Sequence, residues 1–206
     1  MKQTTLIPLN AIPVWVIEDC RMLTEIEMEY LLDLDYRMNT SGGRNLITVN
    51  RQILDLPQFA NFRDTCQEYL DAYVHQVLHI TNKFRITDSW STRNPRGTIH
   101  PAHTHGNSIF SGVYYAQIQS GALEFLFERQ FSKDFNFKYN FSEFDVVNSG
   151  SYYLDCKPGM MVIFPSWLEH LVRPNEHDQE RIIVGFNSFV QGKLGSDTEI
   201  DNITIC

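Results

Sequence analysis

Four of the seven histidines in this chain, His100, His103, His105 and His170, fall at the ends of predicted strands. In His103-Thr104-His105 the imidazoles are two residues apart. On extended backbone both therefore point to one face and can reach one metal ion. A third ligand has to come from elsewhere, and His170 is the candidate. It is expected to end the apolar strand MMVIFPSW, where a neighbouring strand of a barrel brings it to the same mouth. Two ligands from one strand and one from a distant segment leave coordination positions open for substrates. Arg181 follows His170 by eleven residues and opens the run RIIVGFNSFV. Its planar donor fork suits a carboxylate. Entering an apolar barrel it needs an anionic partner, which an organic diacid supplies; the alternative is a solvent-exposed pair with Glu176, Asp178 or Glu180.

Two other groupings carry less chemistry. His75 and His79 stand one helical turn apart, like a zinc-protease HExxH, but Gln76 replaces the general base. They read as helix C-terminal histidines favoured by the macrodipole. The polar segment Asn39 to Asn45, with Gly42 and Gly43, lacks the Lys-Ser/Thr of a P-loop and reads as a connection.

The elements that must position these side chains divide the chain into a helical front and a strand-rich back. Residues 5–18, broken by Pro8 and Pro13, suit an edge strand or extended lead-in. A short helix is expected from Glu25 to Tyr36. A stronger one runs from Pro57 to Ile80, with Phe59, Phe62, Cys66, Tyr69, Leu70, Tyr73 and Val77 forming a stripe that should cover a sheet. From Lys83 the texture changes to eight strand candidates: FRITDSWSTR, SIFSGVYYAQI, ALEFLFER, FNFKYNF, GSYYLDC, MMVIFPSW, HLVRP and RIIVGFNSFV. So many short strands imply a sandwich or barrel. FNFKYNF alternates Phe135, Phe137, Tyr139 and Phe141 on one face, which suits sheet packing or a lid hairpin. Beyond Gly192 the polar tail carries Ile200, Ile203 and Ile205, a frayed end or a late edge strand.

A length of 206 residues suits one domain, and a chain 43% hydrophobic and 20% charged is not a disordered one. The net charge of −8 repels phosphate backbones, so non-specific nucleic-acid binding is not expected. The segment from Lys83 to Asn107 is an exception: Lys83, Arg85, Arg93 and Arg96 stand against Asp88, a local charge of +3 that suits a small anion. Four cysteines without CxxC spacing and the lack of a signal-peptide core point to reduced thiols and a cytoplasmic location. No stretch is long enough for a membrane span.

In combination, HxH, SGVYY, PGMMVIFPSWLEH and ERIIVGFN resemble the catalytic half of the iron(II)/2-oxoglutarate-dependent oxygenases, in their prolyl-hydroxylase-like branch, over about residues 83–190. The resemblance implies a mainly β fold with flanking α-helices: a double-stranded β-helix, jelly-roll and cupin-like, with N-terminal helices packed on one sheet. Residues 1–82 would support a catalytic core of 83–190, and 191–206 would form a tail. It implies Fe(II), 2-oxoglutarate and O2 as cofactor and co-substrates, and hydroxylation with succinate and CO2 as co-products. Carried over by position, His103 and His105 match the family's HxD pair and His170 its distal ligand. Arg181 matches the residue gripping the far carboxylate of 2-oxoglutarate, and Tyr115 the tyrosine that assists it. Asn187 and Trp167 are candidate pocket walls, Asn187 on the cofactor side. His105 departs from the pattern, standing where the family usually has Asp. Two alternatives stay open: a cupin-like metal enzyme without 2-oxoglutarate, of thiol dioxygenase or isomerase type, and a non-catalytic β-sandwich binding module. Against the first, Ile109 and Phe110 stand where a cupin's Glu is expected. The primary substrate and any homo-oligomer are not fixed by the sequence.

Overall fold

The central strands of the larger sheet are covered on both faces, so their residues alternate between two different cores rather than between core and solvent. The computed structural model describes residues 11–40, 43–119, 123–127, 140–145, 147–196, 198 and 200–205. Its strands are β1 (Trp15–Ile17), β2 (Tyr36–Met38), β3 (Leu46–Thr48), β4 (Lys83–Asn94), β5 (His100–His103), β6 (Phe110–Gln117), β7 (Leu123–Leu126), β8 (Ser151–Leu154), β9 (Met161–Pro165), β10 (His170–Val172), β11 (Arg181–Leu194) and β12 (Ile203–Ile205). The larger sheet has the order β1-β9-β6-β11-β4-β3-β2, with β12 also on β11, and the smaller one β5-β10-β7-β8. Every pairing between these strands is antiparallel.

One face of the larger sheet carries the helices. Tyr114 of β6, Met161 and Ile163 of β9, and Ile182, Val184 and Phe186 of β11 share a core with Leu31, Phe62, Cys66 and Leu70. The intervening residues face the smaller sheet: Tyr115, Val162 and Phe164 pack with Leu123, Phe125 and Leu168. Gly112 is needed for this layering, because a Cβ there would collide with the fully buried Phe186 ring.

The first helix, α1 (Glu25–Asp33), opens with a capping box in which Thr24 and Glu27 satisfy each other's backbone N–H groups. It ends three residues before the expected Tyr36. Leu34 is already extended, and the Tyr36 hydroxyl donates to Leu31 O or to Ser91 Oγ, 3.0 Å from each, as β2 pairs with β3. The second, α2 (Ala60–Ala72), is preceded by 3₁₀ turns from Ile53 and followed by a π turn over Tyr73–Val77. Its stripe of Phe59, Phe62, Cys66, Leu70 and Tyr73 is buried as the periodicity requires. Val77 is not: the wider π turn rotates the face so that Val74 enters the core and Val77 stays exposed.

Seven of the eight strand candidates from Lys83 onward correspond to strands, and the tail supplies β12 as a late edge strand on β11. The eighth, FNFKYNF, lies largely outside the described residues, as do residues 5–10 of the lead-in. Its remainder, β1, is an edge strand as expected. Sequence periodicity missed β2, β3 and β5, each only three or four residues long. Among the described residues, no helix is long and apolar enough to cross a membrane.

Candidate active site

Two antiparallel pairings deliver the histidines. His103 closes β5 and is directly paired with His170, the first residue of β10. This corrects the expected placement of His170: β9 stops at Pro165, a turn closed by Leu168 N–H to Pro165 O intervenes, and His170 starts a strand in the other sheet. His105 lies just beyond β5, held by its own N–H to Ser166 O.

The three side chains converge, with one ligand atom from each lying within 4.8 Å of the others. Their tautomers are fixed from behind. His103 Nδ1 lies 2.8 Å from Pro101 O and His170 Nδ1 2.9 Å from Leu168 O. A carbonyl only accepts, so each Nδ1 carries the proton and each Nε2 keeps its lone pair. His105 Nδ1 meets Asn187 Oδ1 at 2.7 Å, and the amide's orientation is set by its Nδ2 donating to Asp88 Oδ2 at 3.2 Å. His105 Nε2 and His103 Nε2 are 3.3 Å apart. Two nitrogens about 2.1 Å from one ion, at an angle slightly above 90°, need about that separation. Burial pushes the His170 pKa down to about 3 and that of His105 to about 4. Both imidazoles are therefore neutral at pH 7, as metal ligands must be. His100 stacks on His103 at 4.0 Å between ring centroids but is not one of the converging three.

Arg181 begins β11, and the alternation of that strand aims Arg181, Ile183 and Gly185 into the cavity that the histidines line. It is 2% exposed. None of Glu176, Asp178 and Glu180 reaches it: Glu180 pairs with Arg93 and Asp178 with Arg96. Among the described residues Arg181 donates one hydrogen bond, from Nη2 to Arg173 O at 2.8 Å, and its buried Nε has no partner. Desolvation lowers its pKa, and Tyr115, Cys156 and Tyr153 lie within electrostatic reach and act against that shift. Tyr115, 1% exposed, thus stands beside Arg181 in the same cavity.

The two expected wall residues fare differently. Asn187 supports His105 and lines the outer side of the histidines rather than the Arg181 cavity. Trp167 is 64% exposed, swung outward by the turn after Pro165. The tryptophan that does line the cavity is Trp90, on β4, with its ring 5.5 Å from that of His105. It fits there because residue 185 is glycine: a Cβ would lie 2.7 Å from the indole. The face of β4 that carries Trp90 was legible, since Asp88, Trp90, Thr92 and Asn94 alternate and pair in register with Asn187, Gly185, Ile183 and Arg181.

Residues 88–187 match the family model described as "Putative 2OG-Fe(II) oxygenase", a span that contains every one of these side chains. Over that span the chain is of 2OG-Fe(II) oxygenase type. No curated protein sequence matches it. Among solved structures, HygX from Streptomyces hygroscopicus with nickel, 2-oxoglutarate and hygromycin B bound is similar at 17% identity and a TM-score of 0.59, over 86% of this chain and 82% of that one. A Pseudomonas putida prolyl-4-hydroxylase is similar at 12% identity and 0.55, over 87% and 94%. The non-heme alpha ketoglutarate dependent epimerase SnoN from nogalamycin biosynthesis is similar at 8% and 0.61, over 86% and 78%. These likenesses establish the fold of the oxygenase as the double-stranded β-helix. The family uses Fe(II), 2-oxoglutarate and O2. The oxygenase has side chains to suit both resident groups: three neutral imidazoles with free Nε2 atoms for the metal, and a buried guanidinium with an unpartnered N–H for a carboxylate.

Proposed function

We propose that the protein is an Fe(II)/2-oxoglutarate-dependent dioxygenase that hydroxylates its substrate, with His103, His105 and His170 as iron ligands and Arg181 as the grip on the far carboxylate of 2-oxoglutarate. The observation that carries this reading is the Arg181 guanidinium, buried without a carboxylate among the described residues and with an idle Nε–H in the cavity of the histidines. A buried unpaired cation costs several kcal/mol, and a dianionic co-substrate is the partner that removes the cost. A metal enzyme without 2-oxoglutarate leaves that cost unexplained.

When bound, iron and 2-oxoglutarate supply the oxidising chemistry, with O2 consumed, succinate and CO2 released and one oxygen inserted into a substrate C–H bond. The chain's own residues act by placement. The Pro101 and Leu168 carbonyls and the Asn187 amide hold the imidazole rings at fixed angles. Phe164 and Trp90 line the inner cavity with aromatic rings, and Phe125 packs against His170 behind it. Tyr115 places a hydroxyl beside Arg181 that can add one neutral hydrogen bond to the same carboxylate.

Asn187 has a positioning role in this scheme, and Asn187→Ala is expected to weaken Fe(II) binding by about ten- to a hundredfold. Competition with a coloured chelator measures it, and unchanged metal affinity would show that the amide does not orient His105. The function as a whole is tested by mixing the protein anaerobically with Fe(II) and 2-oxoglutarate. A visible metal-to-ligand charge-transfer band is expected, followed by succinate release once air is admitted. Iron bound without any band would remove 2-oxoglutarate from the scheme.

A further inference from the structure

The histidines stand between two compartments, which share Trp90, His100, His103 and His105. The inner one holds Arg181 and Tyr115. The outer one is an open cleft of about 330 Å³ whose walls add Arg51, Asp88, Asn39 and Asn187. Each compartment thus has one arginine, and the two arginines are held differently.

Arg51 follows β3 and is tied to β4 through its carbonyl, which accepts from Ser89 N–H at 2.7 Å. This places its guanidinium 4.7 Å above the Trp90 ring. The side chain remains 45% exposed, and among the described residues its only ionic partner is Asp88, with Nη2 to Oδ2 at 3.9 Å, beyond hydrogen-bond reach. Asp88 is engaged elsewhere, accepting from Asn187 Nδ2 and, at 3.3 Å, from Thr87 Oγ1. The donor fork of Arg51 is therefore presented to the cleft over an aromatic platform, with no hydrogen-bond acceptor among the described residues.

We propose that the outer cleft is the primary-substrate subsite and that it selects a small organic acid whose carboxylate is bound by Arg51 on the face of Trp90. This rests on the assignment of the triad to iron and of Arg181 to the co-substrate. Trp90 touches both Arg51 and His105, so a carboxylate on Arg51 anchors a substrate whose carbon chain runs back over the histidines. The cleft volume is that of a small-molecule site. Asp88 decides between anions, because its negative charge beside Arg51 leaves room for a monoanionic carboxylate and repels a phosphate dianion. The Arg37 guanidinium lies within electrostatic reach of Arg51 and adds a second positive charge to its surroundings.

The test uses the full chain loaded anaerobically with Fe(II) and saturating 2-oxoglutarate, so that the charge-transfer band reports the co-substrate first. The probes are alkyl and aryl monocarboxylic acids and N-acetyl amino acids, each matched with its primary amide. At least one acid is expected to perturb the band without displacing 2-oxoglutarate, and its amide to bind at least tenfold more weakly. Arg51→Ala should bring the acid down to the level of the amide while the band itself still forms, with Arg51→Lys in between. Equal binding of acid and amide overturns the proposal, as does an acid that binds Arg51→Ala as well as wild type. So do acids that act only by displacing 2-oxoglutarate, or a panel with no acid binding tighter than about 10 mM. A wild type that binds iron but gives no band defeats the underlying assignment instead, and the subsite proposal falls with it.

Discussion

Replacing His170 with Ala, or His103 with Ala, is expected to abolish stoichiometric Fe(II) uptake, from one ion per chain to none retained after desalting. His170 is 4% exposed, its ring is fixed by Leu168 O and Phe164, and it sits opposite His103 in a two-strand register. No other His, Cys, Asp or Glu among the described residues joins the converging group to take its place. The loss therefore exceeds the ten- to hundredfold typical of supporting residues, because it removes a ligand rather than its orientation. His100→Ala is the control. It deletes a ring stacked on His103 and lining both compartments, yet contributes no ligand atom, so iron at one per chain should survive. Metal analysis beside thermal unfolding separates ligand loss from misfolding. One iron per chain in folded His103→Ala and His170→Ala would remove both from the metal site.

The architecture was legible in the sequence to the extent that one period governed each element. In β6, β9 and β11 the apolar runs are continuous because one face meets the helices and the other the smaller sheet, so strand identity was clear. The three-residue strands β2 and β3 flank a polar loop and are made by pairing, not by local pattern. β5 reads HPAH, without β-branched or aromatic residues, and exists because β10 pairs with it.

The same division holds at the site. His103 and His105 were found by spacing, and Arg181 by its position at the head of an apolar strand. Their supports were not: Asn187 sits past a β-bulge that leaves Thr87 unpaired, and this local shift brings Asp88 opposite it. Arg51 lies in an irregular turn, where no periodicity applies, and reaches the cleft through a backbone bond to β4. Trp167 was misplaced for the converse reason, because the candidate strand MMVIFPSW included it and the strand stops at Pro165, before a turn.

Arg181→Ala is expected to weaken 2-oxoglutarate binding to the iron complex by about ten- to a hundredfold, the equivalent of a charge-assisted bond of about 1.5 to 3 kcal/mol. The guanidinium is already stripped of water in the free protein, so the desolvation cost on its side is met before the ligand arrives. Arg181→Lys keeps a positive charge but loses the planar fork and should fall between wild type and Ala. Tyr115→Phe removes at most one neutral hydrogen bond and should cost less than either. Affinity follows from titrating the charge-transfer band. Thermal unfolding gives a reading free of spectroscopy, since ligand at a hundredfold over Kd adds about 2.7 kcal/mol to wild-type stability. For a chain of this length that is a rise of about 5 to 10 °C. At the same 2-oxoglutarate concentration, the Ala variant should show about half of that rise if binding is tenfold weaker and about a seventh if it is a hundredfold weaker. The full shift in Arg181→Ala, together with an unaltered titration, would place the co-substrate's second carboxylate away from the head of β11.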